Sequence, residues 1–215
     1  MSLFICGTDT GIGKTHVSAA LLRRFADVPG LRYWKPVQTG FPPDDDRAIV
    51  GTLTGLPDER LAPTGISYRE PLSPHRAAEL EDRPAPGVSD LLPILKELEQ
   101  AGPLIVEGAG GLLVPLNRKE TWADFLQAAP MPVVLAARSG LGTINHSLLT
   151  ISEMRRREIE LAGIIFCGPP NEDNRRTVLE TSGVPCLGEF DYRGESGDLD
   201  FEIPGEAGLR DLLTR

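Results

Sequence analysis

The chain has 215 residues, 40% of them hydrophobic and 25% charged, with a formal net charge of −9. That length and composition fit one medium-sized domain able to build a real core. The acidic balance, with no compensating basic run, argues against a nucleic-acid-binding surface, and no apolar run approaches the ~20 residues of a membrane helix.

Cys6, Cys167 and Cys186 lie far apart and form no Cys-x-x-Cys pair. They read as small buried hydrophobes in a reducing compartment. Met1-Ser2 leads straight into a strand-like run, so the expectation is a cytoplasmic protein without a leader.

In chain order, Leu3–Cys6 is an apolar strand run, followed at once by Gly7-Thr8-Asp9-Thr10-Gly11-Ile12-Gly13-Lys14-Thr15. A helical pattern then runs from about Gly13 to Ala26, with Val17, Leu21, Leu22 and Phe25 on one face. Strand, glycine-rich turn and helix in that order make a phosphate-binding loop. Its glycines let backbone N–H groups turn inward on phosphate oxygens. Lys14 can reach the β- and γ-phosphates, and Thr15 can place a hydroxyl on Mg²⁺. The strict pattern wants glycine at position 8; here Thr8 stands there and glycine comes one residue earlier.

Arg32–Val37 reads as a second strand, ended by Pro36 and the polar Gln38-Thr39-Gly40. Asp46 to about Thr54 can form a short helix capped by Asp44 or Asp45. Residues 56–87 are rich in proline and show no sustained period. Leu91–Gln100 is helical and stops at Gly102-Pro103. Leu104-Ile105-Val106 is a short buried strand leading into Glu107-Gly108-Ala109-Gly110-Gly111. Helices are expected at Trp122–Ala128, Thr143–Arg157 and Asn174–Thr181, with strands at Val133–Ala137, Ala162–Cys167 and Val184–Leu187. Gly208–Leu213 can make a terminal helical turn, and Gly194–Gly197 and Gly205–Gly208 read as surface loops. Apolar β-branched runs separated by helices predict a single α/β domain whose mostly parallel sheet carries helices on both faces. Ligands of such sheets bind beyond the carboxyl ends of the strands. That rule brings Gly7–Thr15, Val37–Gly40 and Glu107–Gly111 to one rim.

Glu107 follows a strand and faces a glycine-rich turn, where an acid can hold Mg²⁺ directly or through water. The run Asp44-Asp45-Asp46 offers a further metal ligand without saying which aspartate. Lys35 sits in an apolar strand, where an unpaired ammonium is costly; an anionic ligand, a salt bridge or an edge position would each satisfy it. His16, His75 and His146 have no metal-ligand spacing, and no serine or cysteine stands in a nucleophile elbow. The chemistry is therefore expected to come from phosphate positioning and charge neutralisation.

Five segments in order resemble the dethiobiotin synthetase family of P-loop enzymes. They are the loop Gly7–Thr15, Lys35-Pro36-Val37-Gln38-Thr39-Gly40, Ser73-Pro74-His75, Val106–Gly111 and Leu141-Gly142-Thr143-Ile144-Asn145-His146. The variant glycine spacing is that family's form of the loop. The resemblance implies ATP-driven carboxylation of 7,8-diaminononanoate with CO₂ (or bicarbonate) and closure of the ureido ring through a carbamate–phosphate anhydride. It implies catalytic roles for Lys35, Lys14 and Thr10. It assigns the nucleotide to Asp9, Thr10, Gly11, Ile12, Gly13, Lys14, Thr15 and His16, to Glu107, Gly108 and Gly110, and to Cys167 and Gly168. Mg²⁺ falls to Thr15, Asp46 and Glu107. The diamine falls to Thr39, Gly110 and Gly111, and to Leu141, Gly142, Thr143, Ile144 and Asn145. In the family this last segment comes from the second subunit of a homodimer, and its helix start can offer free N–H groups to the substrate carboxylate.

Two departures stand out. The asparagine that family members place just after the strand matching Ile164–Cys167 is missing from the run Cys167-Gly168-Pro169-Pro170-Asn171, where asparagine comes late. Gly11 replaces an acidic loop residue of some members. Two rival readings are another amidoligase of the same P-loop group and a MinD-like ATPase switch. The second usually carries a lysine near the start of the loop, and none occurs between Met1 and Gly13.

Overall fold

Strand and helix alternate along the chain. The computed structural model describes residues 1–191, 199, 202–204 and 206–214. Its first half contains β1 (Leu3–Gly7), α1 (Lys14–Arg24), β2 (Arg32–Trp34), β3 (Val37–Gln38), α2 (Asp46–Thr54), β4 (Ile66–Ser67), α3 (Pro74–Leu80) and α4 (Val88–Glu99). Its second half contains β5 (Leu104–Gly111), α5 (Trp122–Ala128), β6 (Val133–Arg138), α6 (Thr143–Arg156), β7 (Leu161–Cys167), α7 (Glu172–Ser182), β8 (Cys186–Phe190) and α8 (Glu206–Thr214).

The main sheet is wholly parallel, in the order β2-β5-β1-β6-β7-β8. Its strands bury both faces, which is why they read as continuous apolar runs. Successive residues alternate strictly between the two sides. Phe4, Cys6, Val106, Leu135 and Phe166 pack on one side under α4, α5 and α6, where Leu91, Trp122, Phe125 and Ile151 meet them. Leu3, Ile5, Tyr33, Ile105 and Val134 pack on the other, under Val17 and Leu21 of α1 and Leu209 of α8.

One anchor bears directly on the ligand rim. Phe4, Trp122 and Phe125 form an aromatic cluster with ring centroids 5.6–6.2 Å apart, and the Trp122 indole N–H donates to the Ala109 carbonyl at 2.9 Å. Helix α5 thus pins the glycine-rich end of β5. The Phe4 ring lies where a β-carbon on residue 108 would fall, 2.8 Å away, so only glycine fits there.

Several boundaries differ from the sequence expectation for identifiable reasons. The second strand ends at Trp34, because Pro36 has no N–H to continue a ladder. Val37–Gln38 instead pairs in parallel with Ile66–Ser67 in a separate two-stranded sheet. The proline-rich stretch holds that partner strand and also α3, which has Ser73 at its N-cap and Pro74 inside its first turn. Helix α4 starts at Val88, with the Asp90 carboxylate accepting the Gly87 N–H at 2.8 Å. The last strand lies at Cys186–Phe190 instead of Val184–Leu187. Gly208 sits inside α8 and not in a loop, whereas Gly194–Gly197 and Gly205 fall outside the described residues. Among the described residues no helix is long and apolar enough to cross a membrane.

Candidate active site

A cleft of about 610 Å³ opens at the carboxyl ends of β1, β2 and β5. Its floor is the phosphate loop. Gly13 precedes α1 at φ 100°, a left-handed conformation open to glycine, and α1 then points its amino end into the cleft. Lys14 is nearly buried, and its ammonium donates to the Asp9 carbonyl at 2.9 Å across the loop. Burial first, and then the like charge of Lys35, pull the Lys14 pKa below its ordinary value.

The glycine one place early in the loop has a packing cause. A β-carbon on residue 7 would stand 2.8 Å from the Asp9 carbonyl oxygen and 3.0 Å from both the Gly110 oxygen and Lys14 Cδ. Gly7→Ala must therefore push on the carbonyl that holds the Lys14 ammonium. Overpacking of this kind costs about 1–3 kcal/mol, so calorimetry should find ATP bound about ten- to hundredfold more weakly. Gly11→Ala is the contrast: nothing lies within 4 Å of its β-carbon, and only the φ of 68° is strained. An equal loss in both variants would contradict the packing argument.

Above the loop lies a buried charge cluster. Lys35 Nζ sits 2.5 Å from Asp46 Oδ2 and 2.9 Å from Glu107 Oε1. It also approaches the Gly108 carbonyl, at 3.4 Å. Of the ways to satisfy this lysine, the structure has the salt bridge. Burial works against the Lys35 charge, but Glu107 and Asp46 outweigh it and raise its pKa. Burial likewise opposes the Asp46 charge, and Lys35 more than offsets it, lowering the Asp46 pKa. Asp45, not Asp44, caps α2 by accepting the Ala48 N–H at 3.0 Å, which leaves Asp46 in the first turn facing inward. The Asp46 N–H donates to Gln38 Oε1 at 3.3 Å.

Thr15 Oγ1 lies 3.0 Å from both Asp46 Oδ1 and Glu107 Oε1. One hydroxyl proton cannot serve two carboxylates. Three hard oxygens thus meet beside a cation, Lys35, that two of these side chains already bind, which is the donor chemistry Mg²⁺ takes.

The remaining expected residues divide among neighbouring places. Thr10, Gly11, Ile12, Gly13, His16, Thr39 and Gly110 line the same cleft. Half-buried His16 has its pKa lowered, chiefly by desolvation. Asp9 does not line it; its carboxylate accepts the Thr10 N–H at 2.7 Å and pairs with Arg138 at 2.8 Å. Gly111 lines a smaller adjoining cavity. Cys167 and Gly168 line a cavity of about 400 Å³ together with Gly11, Ile12 and Leu141. Asn171 is engaged in capping α7, accepting the Asn174 N–H at 3.0 Å.

Gly142, Thr143, Ile144 and Asn145 do not line the cleft of their own chain. Thr143 is buried, with its hydroxyl 3.2 Å from that of Ser147, while Leu141 and Asn145 are exposed. Residues missing from the sequence expectation are Ser18 and Tyr33, which bond Glu107 from below, and Ile49, Pro71 and Leu72, which wall the cleft.

A family model described as an AAA domain matches residues 1–198. The chain is 45% identical over 190 residues to the biotin biosynthesis bifunctional protein BioCD of Bordetella avium, covering 87% of this chain but 39% of that protein. It is 46% identical over 188 residues to the ATP-dependent dethiobiotin synthetase BioD of Rhodopseudomonas palustris strain HaA2, covering 87% of this chain and 84% of the relative. The ParA family ATPase of Chlorobium tepidum TLS superposes with a TM-score of 0.57 over 99% of this chain and 94% of its own, at 9% identity. That last likeness shows a P-loop ATPase fold alone. Similarity along most of both chains goes further: the chain belongs to the ATP-dependent dethiobiotin synthetase family.

Proposed function

We propose that this cleft carries the family's ligation on 7,8-diaminononanoate, CO₂ and ATP, with Lys14, Lys35 and Thr10 as its catalytic groups. One amine adds to CO₂ and loses a proton, giving a carbamate. A carbamate oxygen attacks the γ-phosphorus, the bond to the β–γ bridging oxygen breaks, and ADP leaves. The neighbouring amine then attacks the carbonyl carbon of the resulting anhydride with loss of its proton. The carbon–oxygen bond to phosphate breaks, and dethiobiotin and phosphate are formed.

The observation that carries this reading is the convergence on one cleft of two buried ammonium groups with Thr10 and Thr39. The first step creates the carbamate charge and the next two pass charge between carbamate and phosphate groups, and fixed cations in a water-poor site stabilise such charge strongly. Lys14 would hold the β- and γ-phosphates from the loop. Lys35, opposite, would hold the carbamate in line with the γ-phosphorus, and the Thr10 hydroxyl would donate to the same oxygens. Thr15, Asp46 and Glu107 would hold Mg²⁺, which supplies neutralisation of the phosphate charge when bound. Gly110 allows close approach of the diamine to β5.

The second part of the reading is a homodimer with shared sites. Leu141 is 97% exposed, and Leu113 and Leu149 are also large exposed apolar residues. Single apolar residues on a surface are ordinary, but a covered patch is the economical reading when a site segment faces away from its own cleft. The N–H groups of Ile144 and Asn145 head α6 with no carbonyl one turn earlier inside the helix, and would take the substrate carboxylate in the partner's cleft. Free, buried Cys6 and Cys167 suit a reducing cytoplasm. No nucleic-acid or membrane partner is proposed.

The deciding assay follows ATP hydrolysis with and without the diamine and bicarbonate, with dethiobiotin measured by mass. Phosphate release is expected to require both co-substrates and to match product one for one. Hydrolysis indifferent to the diamine would favour an ATPase switch, and hydrolysis driven only by another amine would favour a different amidoligase.

A further inference from the structure

Four polar groups stand against Glu107, two at each oxygen. Thr15 and Lys35 approach Oε1 from the cleft side, at 3.0 and 2.9 Å. Ser18 Oγ and Tyr33 OH donate to Oε2, at 2.7 and 3.1 Å. All of Glu107, Ser18 and Tyr33 are fully buried.

The arrangement follows from helix and sheet geometry. Thr15 and Ser18 are three residues apart on α1, so their hydroxyls share a helix face and meet the carboxylate one per oxygen. Tyr33 pairs in register with Ile105 of the neighbouring strand. Glu107 is two residues further on and so lies on the same side of the sheet, within reach of a phenol. A carboxylate oxygen can only accept, so at 3.1 Å the phenol is the donor.

Two O–H donors fill the lone pairs of Oε2. Only Oε1, whose own neighbours Thr15 and Lys35 come from the cleft side, turns toward the cleft. A carboxylate held this way can give a cation one oxygen, never both. Mg²⁺ takes single oxygens at 2.0–2.1 Å in a strict octahedron, whereas Ca²⁺ takes more ligands at longer distance and often both oxygens of a carboxylate.

We propose that Ser18 and Tyr33 are positioning residues that restrict Glu107 to a single cation-facing oxygen and so select Mg²⁺ against Ca²⁺. The inference rests on Thr15, Asp46 and Glu107 being the cation ligands, and its test separates the two. Mn²⁺ binding to the ADP-loaded protein is followed by its electron paramagnetic resonance signal, and Mg²⁺ or Ca²⁺ is then titrated in as competitor. ADP alone serves as the reference.

Wild-type protein is expected to bind Mn²⁺ and to release it to Mg²⁺ in clear preference to Ca²⁺. In Tyr33→Phe, which removes one oxygen and keeps the ring, Mg²⁺ should bind about tenfold more weakly, the usual size of a lost outer contact to a metal ligand. The preference for Mg²⁺ over Ca²⁺ should shrink with it. Ser18→Ala should act in the same direction, and the double variant, with Oε2 free, should lose most of the preference. A merely structural role would lower the melting temperature and leave the Mg²⁺ to Ca²⁺ ratio alone, which would overturn the proposal. Wild-type protein that binds ADP but takes up no Mn²⁺ beyond the ADP reference would overturn the cation reading beneath it. Either single variant decides the matter if the double variant does not fold.

Discussion

Lys35→Met is expected to lower turnover about 10²- to 10³-fold and to cost about 3–5 kcal/mol of folding stability. Methionine keeps the apolar stem and removes the ammonium that sits between Asp46 and Glu107. The catalytic loss follows because the cation that would face carbamate and γ-phosphate is gone. The stability loss follows because two carboxylates, one fully buried and one largely so, are left facing each other across Thr15. The two losses separate in a second variant. Lys35→Met with Glu107→Gln removes one of the stranded charges, so thermal unfolding should recover most of the stability while turnover stays low. Unchanged kcat in Lys35→Met would take this residue out of the reaction, and an unchanged melting temperature would mean that the cluster contributes no net stability.

Which parts of this protein are legible in sequence depends on how local their signals are. Local signals carried the elements that end on strong punctuation. Asp46–Thr54 follows the capping Asp45 and ends before the left-handed Gly55, and Trp122–Ala128 begins after Thr121, whose backbone and hydroxyl meet Asp124. The phosphate loop needed only its own residues. Helix α3 was signalled by Ser73-Pro74 but lost among neighbouring prolines. The two-residue pair of β3 and β4 left no periodic trace at all, since period two cannot be seen in two residues.

The site divides along the same line. Lys14, Thr15 and Glu107 stand where a strand and helix reading puts them. Ser18 and Tyr33 were out of reach, because their role depends on which strand lies beside which. Tyr33 meets Glu107 only because β5 is inserted between β1 and β2, and nothing local to Arg32-Tyr33-Trp34 announces that. Lys35 was singled out by the cost of burying it, although its partners could not be chosen without the fold.

The shared-site reading predicts recovery of activity from two inactive chains. Lys14→Met disables the phosphate loop with little expected harm to the fold, since burial already disfavours that charge and the ammonium donates to a loop carbonyl, that of Asp9. Asn145→Asp places a carboxylate in the first turn of α6, exposed and favoured by the helix dipole. It should fold normally yet repel the substrate carboxylate, leaving the ATP KM unchanged and raising the diamine KM sharply. With the diamine held near its wild-type KM, each variant alone should be nearly inactive. After equal amounts are mixed and allowed to exchange, half of the dimers pair one chain of each kind. In such a dimer one cleft collects both lesions and the other collects neither, because the cleft and the α6 segment that serves it come from different chains. About a quarter of all sites, and so about a quarter of the wild-type rate, should therefore return. If each chain serves its own cleft, every site carries one lesion whatever the pairing, and the mixture can do no better than the average of the two variants alone.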